Sequence, residues 1–394
     1  MVKRRRFLQN VFSAFAGSSL LGLNAFDGLP SPVLASTDYL TFDFHSHPGT
    51  FFAKGIAGYP GNYQIAKTLS EMNTVHLAGA LISLVADVKV IRVGPDGVKP
   101  TRAYEPNEAW QDYVRQMSDL KEILNNPAVK LATRASDLDQ SYQEKKTAAY
   151  IACEGGDFLE GRADRLEQMY QDGVRSVQLV HYHPNELGDL QTESPRYHGL
   201  SSAGKEVVHR MNKLKMVIDV AHASEETTKD VASLSDAPII LSHSLLKMDG
   251  VRPLSRRTIT VEHAKAVAQT GGVIAAWPSS FNKSFDEFID NTLRLVDAVG
   301  IDHVGLGSDM DGTGKAVLGS YLQLPQWIDG LKTKGLNDEE IRKIAGGNAR
   351  RVLNKVLKVS QQYIFKDSYD DQTQTWPLRP HHDCSKPGHW HGDL

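Results

Sequence analysis

The stretch Leu40-Thr41-Phe42-Asp43-Phe44-His45-Ser46-His47 is an apolar run that ends in two histidines. Seven later runs share its character, because each is nearly continuous in Val, Ile, Leu and Ala rather than alternating with polar residues. Strands that are buried on both faces of a parallel sheet have this composition. We therefore predict eight strands, over residues 40–44, 78–85, 148–152, 176–180, 216–220, 238–241, 272–276 and 303–306.

Stretches with apolar residues at helical spacing separate the predicted strands, as in residues 109–124, 160–172 and 285–299. Near the end, Asn337 can cap a helix over residues 338–345, whose first turn is acidic. Eight strands with intervening helices over about 320 residues predict an α/β fold, the (β/α)8 TIM barrel. A doubly wound sheet is the alternative, but no unit opens with Gly-x-Gly-x-x-Gly.

Composition and charge exclude several classes of protein. The 394 residues are 41% hydrophobic and 23% charged, which is typical of globular domains and excludes disorder for most of the chain. The formal net charge of −3 provides no basic surface for nucleic acid. Two cysteines, Cys153 and Cys384, cannot form a disulfide scaffold. An oxidising compartment would permit a bridge between them, but free thiols are favoured because Cys153 lies inside a strand-like run.

The first 35 residues differ from the rest of the chain. Lys3 and three arginines precede an apolar run rich in Gly, Ala and Ser, and small residues end the segment at Ala35. This order is typical of a cleavable signal peptide. The string Arg4-Arg5-Arg6-Phe7-Leu8 resembles the twin-arginine export signal. We expect export to the periplasm and no membrane span after cleavage; an N-terminal membrane anchor is the alternative.

The chain is thus predicted to have three parts. Residues 1–35 are a twin-arginine-type signal peptide, residues 36–360 form the barrel, and residues 361–394 are a C-terminal tail. The tail contains side chains that can bind a metal ion, namely His381, His382, Cys384, His389 and His391. A disordered tail is favoured over a metal site, because three nearby prolines would break a compact arrangement.

Residues with metal-binding or acidic side chains follow six of the eight predicted strands. Barrel enzymes place their chemistry at the C-terminal ends of the strands. One histidine after a strand is usually structural, but several at one end of a barrel favour a shared function. The residues are His45, His47, Glu154, His181, His222, His243 and Asp309.

Imidazole and carboxylate groups together suit zinc and similar divalent ions. Glu154 is followed by two glycines, so its side chain can point into the mouth of the barrel and bridge two metals. Two metals about 3.5–4 Å apart activate a bridging hydroxide. The sequence therefore predicts two divalent ions per chain, with Zn²⁺ the first candidate.

These residues resemble the membrane (renal-type) dipeptidase family, peptidase family M19, whose barrels are of the metal-dependent hydrolase type. The resemblance runs from about residue 42 to residue 353. Its motifs are specific in this order: Asp43-Phe44-His45-Ser46-His47-Pro48, Glu154-Gly155-Gly156, Leu179-Val180-His181, Ile218-Asp219-Val220-Ala221-His222-Ala223-Ser224, Ser242-His243-Ser244, Ser255-Arg256-Arg257, Gly307-Ser308-Asp309-Met310-Asp311-Gly312 and Ile344-Ala345-Gly346-Gly347-Asn348.

The resemblance implies a ligand set for each metal. His45 and His47 would hold the first metal, His222 and His243 would hold the second, and Glu154 would bridge both. The better-known members carry His-x-Asp after the first strand, where this chain has His-x-His. The change replaces an anionic ligand with a neutral one, which leaves metal identity, metal affinity and the pKa of the bridging water open.

The resemblance also implies three roles in catalysis. His181 would contact the scissile carbonyl oxygen, where negative charge develops and needs a donor. Arg257 would bind the free carboxylate of the substrate, which suits a two-pronged guanidinium. Asp309 would move a proton from the attacking water to the departing amine.

We therefore expect a metallo-dipeptidase that hydrolyses a small dipeptide, with tolerance for a D-residue at the C-terminal position. The resemblance also makes a homodimer possible. The alternatives are an amidohydrolase-like enzyme for another small amide, a lactone or an acylated amino acid, and a non-hydrolytic periplasmic maturation or binding protein. Arg257 favours the dipeptidase, because it places a carboxylate beside the scissile bond.

Two further features carry weaker predictions. Residues 86–106 are predicted to form a long loop after the second strand, which either shapes substrate access or is a plain surface insertion. Asp311 is predicted to be a turn former before Gly312 rather than a ligand.

Overall fold

The computed structural model describes residues 38–56, 59–94, 97–247 and 255–357. The predicted signal peptide, the His-rich tail and Cys384 lie outside the described residues. The strands are β1 (Phe42–Ser46), β2 (Gly79–Val85), β3 (Ile91–Gly94), β4 (Gly97–Pro100), β5 (Val129–Leu131), β6 (Thr147–Glu154), β7 (Val174–Gln178), β8 (Val217–Asp219), β9 (Ile240–Ser244), β10 (Val273–Ala276) and β11 (Val304–Leu306).

Eight of these strands close into a parallel barrel, in the order β1, β2, β6, β7, β8, β9, β10 and β11, with β11 pairing back onto β1. The residues of the eight strands are buried, which explains their nearly continuous apolar runs. Each predicted strand overlaps one barrel strand, so the predicted (β/α)8 TIM barrel is confirmed.

Two departures from the predicted pattern lie early in the chain. Strand β5 was not predicted; it pairs with the start of β6, where Val129 lies opposite Thr147. The predicted long loop over residues 86–106 instead contains an antiparallel hairpin of β3 and β4. That hairpin reaches a later loop through an ion pair of 3.3 Å between Lys99 Nζ and Glu193 Oε1.

The helices alternate with the barrel strands. They are α1 (Asn62–Thr74), α2 (Glu108–Leu124), α3 (Ser136–Gln143), α4 (Arg165–Gln171), α5 (Ser202–Leu214), α6 (Glu225–Leu234), α7 (Val261–Gln269), α8 (Phe285–Val299), α9 (Leu324–Thr333), α10 (Asp338–Arg342) and α11 (Asn348–Val356). Side-chain caps start several of them: Ser201, Ser224, Thr260 and Ser284 each accept a hydrogen bond from a backbone N–H three residues on. Among the described residues, no helix combines the length and apolar character that crossing a bilayer requires.

The predicted cap at Asn337 is present, and Glu340 completes a capping box with it. The helix ends earlier than predicted, because a π-helical turn over Lys343–Gly347 leads directly into α11. Asn348 then donates hydrogen bonds to the carbonyls of Ile301 (2.8 Å) and Val304 (2.9 Å). The motif at residues 344–348 therefore fastens the last helix to the start of β11.

The strand ends approach one another closely. A Cβ atom on Gly307, the residue after β11, would lie 1.8 Å from the carbonyl oxygen of Ser242 in β9. Only glycine permits this approach.

Cys153 is buried in β6, and burial raises the pKa of its thiol. The thiol therefore stays protonated and unreactive, and its side chain contributes to packing.

Candidate active site

Five side chains from four strand ends converge in the mouth of the barrel. His45 and His47 come from β1, Glu154 ends β6, His243 lies in β9, and His222 follows β8. They form two groups that share Glu154, and the candidate ligand atoms of each group lie within 4.8 Å of one another. The five ligands that the resemblance implied are thus brought together.

We call His45 and His47 the first half of the site, and His222 and His243 the second half. In each half the two Nε2 atoms lie 3.0 Å apart. Glu154 Oε1 lies 3.2 Å from His45 Nε2 and 3.4 Å from His222 Nε2, while Oε2 lies 3.4 Å from His47 Nε2. The carboxylate therefore faces both halves.

Hydrogen bonds on the far side of the rings turn the Nε2 atoms toward Glu154. His47 Nδ1 donates to the carbonyl oxygen of Ser83 at 2.8 Å, so its Nε2 lone pair is available when the ring is neutral. Ser242 Oγ lies 3.3 Å from His45 Nδ1 and 3.1 Å from His243 Nδ1. One buried hydroxyl thus orients a ring in each half.

The charges differ across the site. Burial alone would raise the pKa of Glu154, but the surrounding histidines lower it well below its usual range. Burial opposes protonation of His47, yet Asp309 and Glu154 outweigh it and raise the pKa of His47 to about 10. Burial, together with neighbouring positive groups, lowers the pKa of His222 and His243 well below the usual value.

The donor set fits divalent metal ions. Four imidazole nitrogens and one anionic carboxylate face a common space, all of them buried, and this is a ligand set for zinc and related ions. The two Nε2 atoms of each half lie close enough together to bind one cation between them.

His181 lies beside this cluster and is held by a carboxylate that the sequence analysis missed. Its Nε2 lies 3.3 Å from Glu154 Oε1, and its Nδ1 donates to Asp87 Oδ1 at 2.7 Å. Asp87 also accepts from the backbone N–H groups of Tyr182 (2.9 Å) and His183 (2.8 Å). Burial opposes protonation, but Asp87 and Glu154 prevail and raise the pKa of His181.

Arg257 is a fully buried cation, 0% exposed. Its Nη1 donates to Gln191 Oε1 at 2.5 Å, and its Cζ lies 5.3 Å from the centroid of the Trp277 ring. Its Nε and Nη2 atoms have no hydrogen-bond partner among the described residues. A buried guanidinium with unused donors is costly unless an anion binds there.

Asp309 lies against the first half. Its Oδ1 is 3.4 Å from His47 Nε2, and its Oδ2 accepts a hydrogen bond of 3.2 Å from Trp277 Nε1. The backbone of Asp309 is left-handed, with φ of 53°, as is that of His222, with φ of 64°. Such conformations are uncommon for residues other than glycine and cluster at functional sites.

Asp311 has a separate task. Its carboxylate accepts hydrogen bonds from the Gly49 backbone N–H (2.7 Å) and the Thr68 hydroxyl (2.5 Å), and its φ is 62°. It ties the loop after β11 to the segment after β1. It lies in neither metal-ligand group, in agreement with the predicted turn.

Two of the missed residues lie after strands that had no predicted functional group. Asp87 and Trp277 follow β2 and β10, the two barrel strands whose ends were predicted to carry no functional group. A histidine or glutamate after a strand signals a ligand, whereas one aspartate in a long loop and one tryptophan give no such signal. Gln191 and Ser242 were missed because their roles depend on partners distant in sequence.

Comparison with known proteins gives a consistent assignment. The chain is 30% identical over 284 residues to the dipeptidase tcpJ of Claviceps purpurea. The aligned region covers 68% of this chain and 66% of that relative, which is just under two thirds of its length. The probable dipeptidase PvdM from Pseudomonas aeruginosa has a similar fold, with a TM-score of 0.65 at 22% identity, covering 90% of this chain and 99% of that one.

A metallo peptidase from Rhodobacter sphaeroides, liganded with a phosphinate mimic of the dipeptide L-Ala-D-Ala, has a TM-score of 0.66 at 20% identity, over 81% of this chain and 100% of that one. The family model of membrane dipeptidases matches residues 58–365, beginning after His45 and His47, later than the resemblance noted in the sequence. Since this match covers more than half of the sequence, the chain belongs to the membrane dipeptidase family, peptidase family M19.

Proposed function

We propose that this protein is an exported, binuclear metal-dependent dipeptidase that hydrolyses the amide bond of dipeptides. The observation that carries the proposal is the buried Arg257, whose Nε and Nη2 atoms have no described partner. A free carboxylate is the anion that these donors fit. Trp277 contacts both Arg257 and Asp309, so such a carboxylate would bind near the metal-ligand groups.

Two divalent ions, with Zn²⁺ the first candidate, would be held by the ligands described above. His45, His47 and Glu154 would hold one ion, and Glu154, His222 and His243 the other. When bound, such ions would lower the pKa of a water molecule and so supply a nucleophile near neutral pH. Metal analysis should give about two ions per chain.

The protein groups then act on the two ends of the scissile bond. The water oxygen attacks the carbonyl carbon, and His181 Nε2 donates to the carbonyl oxygen as it gains negative charge. Asp309 accepts the water proton and delivers it to the amine nitrogen as the C–N bond breaks. Trp277 and His47 contact the two oxygens of Asp309, which holds the carboxylate in one orientation.

The proposed substrate has a free C-terminal carboxylate and tolerates a D-residue at that position. The solved metallo peptidase from Rhodobacter sphaeroides is liganded with a mimic of L-Ala-D-Ala, which supports this choice. Two other activities are compatible with the barrel alone: hydrolysis of another amide, lactone or acylated amino acid, and a non-hydrolytic maturation role. A lactone, an uncharged amide or a maturation role leaves the unused donors of the buried Arg257 unexplained, whereas an acylated amino acid carries the same carboxylate as a dipeptide.

The test compares a dipeptide with its C-terminal amide, in the wild type and in Arg257→Ala. Loss of a charge-assisted contact worth roughly 1.5–3 kcal/mol should lower kcat/KM for the free dipeptide by about one to two powers of ten. The C-terminal amide should be a poor substrate for the wild type, and its kcat/KM should fall little further in Arg257→Ala. Arg257→Lys should recover only part of the rate, because an ammonium cannot make two parallel contacts.

Arg256→Ala is the matched control, because Arg256 is exposed and its guanidinium donates to the Thr192 carbonyl at 3.0 Å. Both substrates should keep their rates in this variant. Equal losses for the free dipeptide and the amide in Arg257→Ala would remove the reason to prefer a dipeptide over another amide or a lactone.

Export and assembly belong to the same proposal. Replacing Arg4, Arg5 and Arg6 by lysine should retain the protein in the cytoplasm, because the paired arginines are the feature that the export receptor reads. Cell fractionation and N-terminal sequencing measure this, and unchanged periplasmic protein that starts at Ser36 would indicate another route. Light scattering would test for a homodimer.

A further inference from the structure

Trp277 follows β10, one of the two barrel strands whose ends carry no predicted ligand or acid. Its backbone is fixed on both sides, since its N–H donates to the Ser244 carbonyl (3.0 Å) and its carbonyl accepts from Asn282 Nδ2 (3.0 Å). The side chain is only 6% exposed and packs with Leu245 and Phe281. The indole is therefore held in one place.

The indole touches three separate parts of the site. Its Nε1–H donates to Asp309 Oδ2 at 3.2 Å. Its ring centroid lies 5.3 Å from Arg257 Cζ, within the range of a cation–π contact. Its ring makes a T-shaped contact with the ring of His243, with ring centroids 5.5 Å apart. A single rigid ring thus contacts both the proposed proton carrier and the proposed carboxylate anchor.

The two groups act on atoms of the same leaving amino acid. In a dipeptide, the departing nitrogen and the carboxylate are attached to one carbon, so Asp309 and Arg257 must keep a set separation. One extra methylene moves the carboxylate by about 1.5 Å, and misplacement of about 1 Å can cost two powers of ten in rate.

We propose that Trp277 is the positioning residue that sets the spacing between Asp309 and Arg257, and so selects an α-amino acid as the leaving group. This inference rests on the proposed dipeptidase function. It assigns Trp277 two contacts that can be removed separately. The indole N–H orients Asp309, and the ring face orients Arg257.

The first test uses Trp277→Phe, which keeps an aromatic ring and removes the N–H donor. The value of kcat for Ala-Ala should fall roughly tenfold while KM stays within about twofold, because Arg257 keeps its aromatic neighbour. In an Asp309→Asn background the same change should have almost no further effect on the residual rate. An unchanged kcat, or an equal loss in both backgrounds, would overturn the role.

The second test uses Trp277→Leu, which also removes the ring face. The preference in kcat/KM for Ala-Ala over Ala-β-Ala should fall by roughly five- to tenfold, because Arg257 is no longer held at one distance. The matched control is Trp327→Phe, since Trp327 is 0% exposed and its Nε1 has no hydrogen-bond partner among the described residues. An unchanged preference in Trp277→Leu would refute selection by spacing.

A third measurement does not need turnover. The ¹⁵N-indole signal of Trp277, assigned by its loss in Trp277→Phe, should move in Asp309→Asn while the Trp327 signal stays in place. Absence of any dipeptide hydrolysis by the metal-loaded wild type would contradict the proposed function, whatever this signal does. If the Trp277 signal keeps its position in Asp309→Asn, the positioning role is contradicted, even when the protein is an active dipeptidase.

Discussion

The two halves of the metal-ligand cluster have the same ligand type and opposite protonation. Each half has two imidazole Nε2 atoms 3.0 Å apart, and both share Glu154. His47 in the first half has a raised pKa of about 10, because Asp309 and Glu154 outweigh its burial. In the second half, burial and the nearby Arg257 and His181 lower the pKa of His222 well below its usual value.

The difference shows that neighbours, rather than ligand identity, set the protonation of a buried histidine. The first half holds a proton near neutral pH, which a metal ion must displace. The second half is already neutral and can accept an ion directly. The His-x-His pair, noted in the sequence as the departure from His-x-Asp, therefore makes the two halves unequal in their dependence on pH.

The largest effect is expected from Glu154→Gln, which breaks both halves at once. Removing the shared anion should leave fewer than about one bound ion per chain and lower kcat/KM by roughly three powers of ten or more. This loss exceeds the roughly 10–100-fold loss that is typical when a residue contacting a metal ligand is replaced. Metal analysis and dipeptide hydrolysis measure the two effects. Glu71→Gln is the control, because Glu71 is buried against Ser320 and Tyr321, and its variant should keep both ions.

Single-half variants separate the two sites. His47→Ala and His243→Ala should each bind about one ion, because each removes a ligand from one group only. His47→Asp should restore binding of two ions per chain, since a carboxylate can replace the imidazole as a ligand in the first half. If His47→Asp binds no more metal than His47→Ala, position 47 requires an imidazole.

The two halves should also differ in how their metal binding depends on pH. Below pH 10, ion-free His47 is protonated, and metal binding must release that proton. The apparent affinity of the first half, measured in His243→Ala, should therefore fall about tenfold for each pH unit from 9 to 7. The second half, measured in His47→Ala, should change little over that range, because its histidines are neutral.

Chelator competition at pH 7, 8 and 9 gives both affinities. Equal slopes for the two single-half proteins would mean that the halves do not differ in protonation.

The last prediction concerns stability rather than activity, and a histidine outside both halves. His263 on α7 is buried, and its Nε2 lies 2.8 Å from Thr228 Oγ1. Burial lowers its pKa to about 4, below the unfolded value of 6.5. As the pH falls, His263 therefore takes up a proton in the unfolded chain before it does so in the folded protein. Its contribution to the free energy of unfolding is complete above pH 6.5 and is lost as the pH falls toward 4.

Between these two pH values, the free energy of unfolding of the wild type should fall by about 3 kcal/mol relative to His263→Gln. Denaturant unfolding across this range measures the difference. Parallel curves for the two proteins would show that burial of His263 does not depress its pKa.

The barrel and the location of its chemistry follow from local sequence pattern alone. Strands β1 and β9 are buried on both faces, so their residues are almost continuously apolar. Such strands can be predicted from composition without knowing which strands they pair with. Because parallel strands end at one face of a barrel, His45, Glu154 and His243 could be assigned to one site before any contact was known. Helix caps such as Asn337 were equally local.

The surroundings of those groups depend on contacts between residues that are distant in sequence. Strand β5 and the β3–β4 hairpin were missed, because short strands are defined by their pairing partners more than by composition. Asp87 acts on His181, 94 residues away, and Trp277 acts on Asp309, 32 residues away. The raised pKa of His47 and the lowered pKa of His222 arise from distance and burial, which residue identity does not encode.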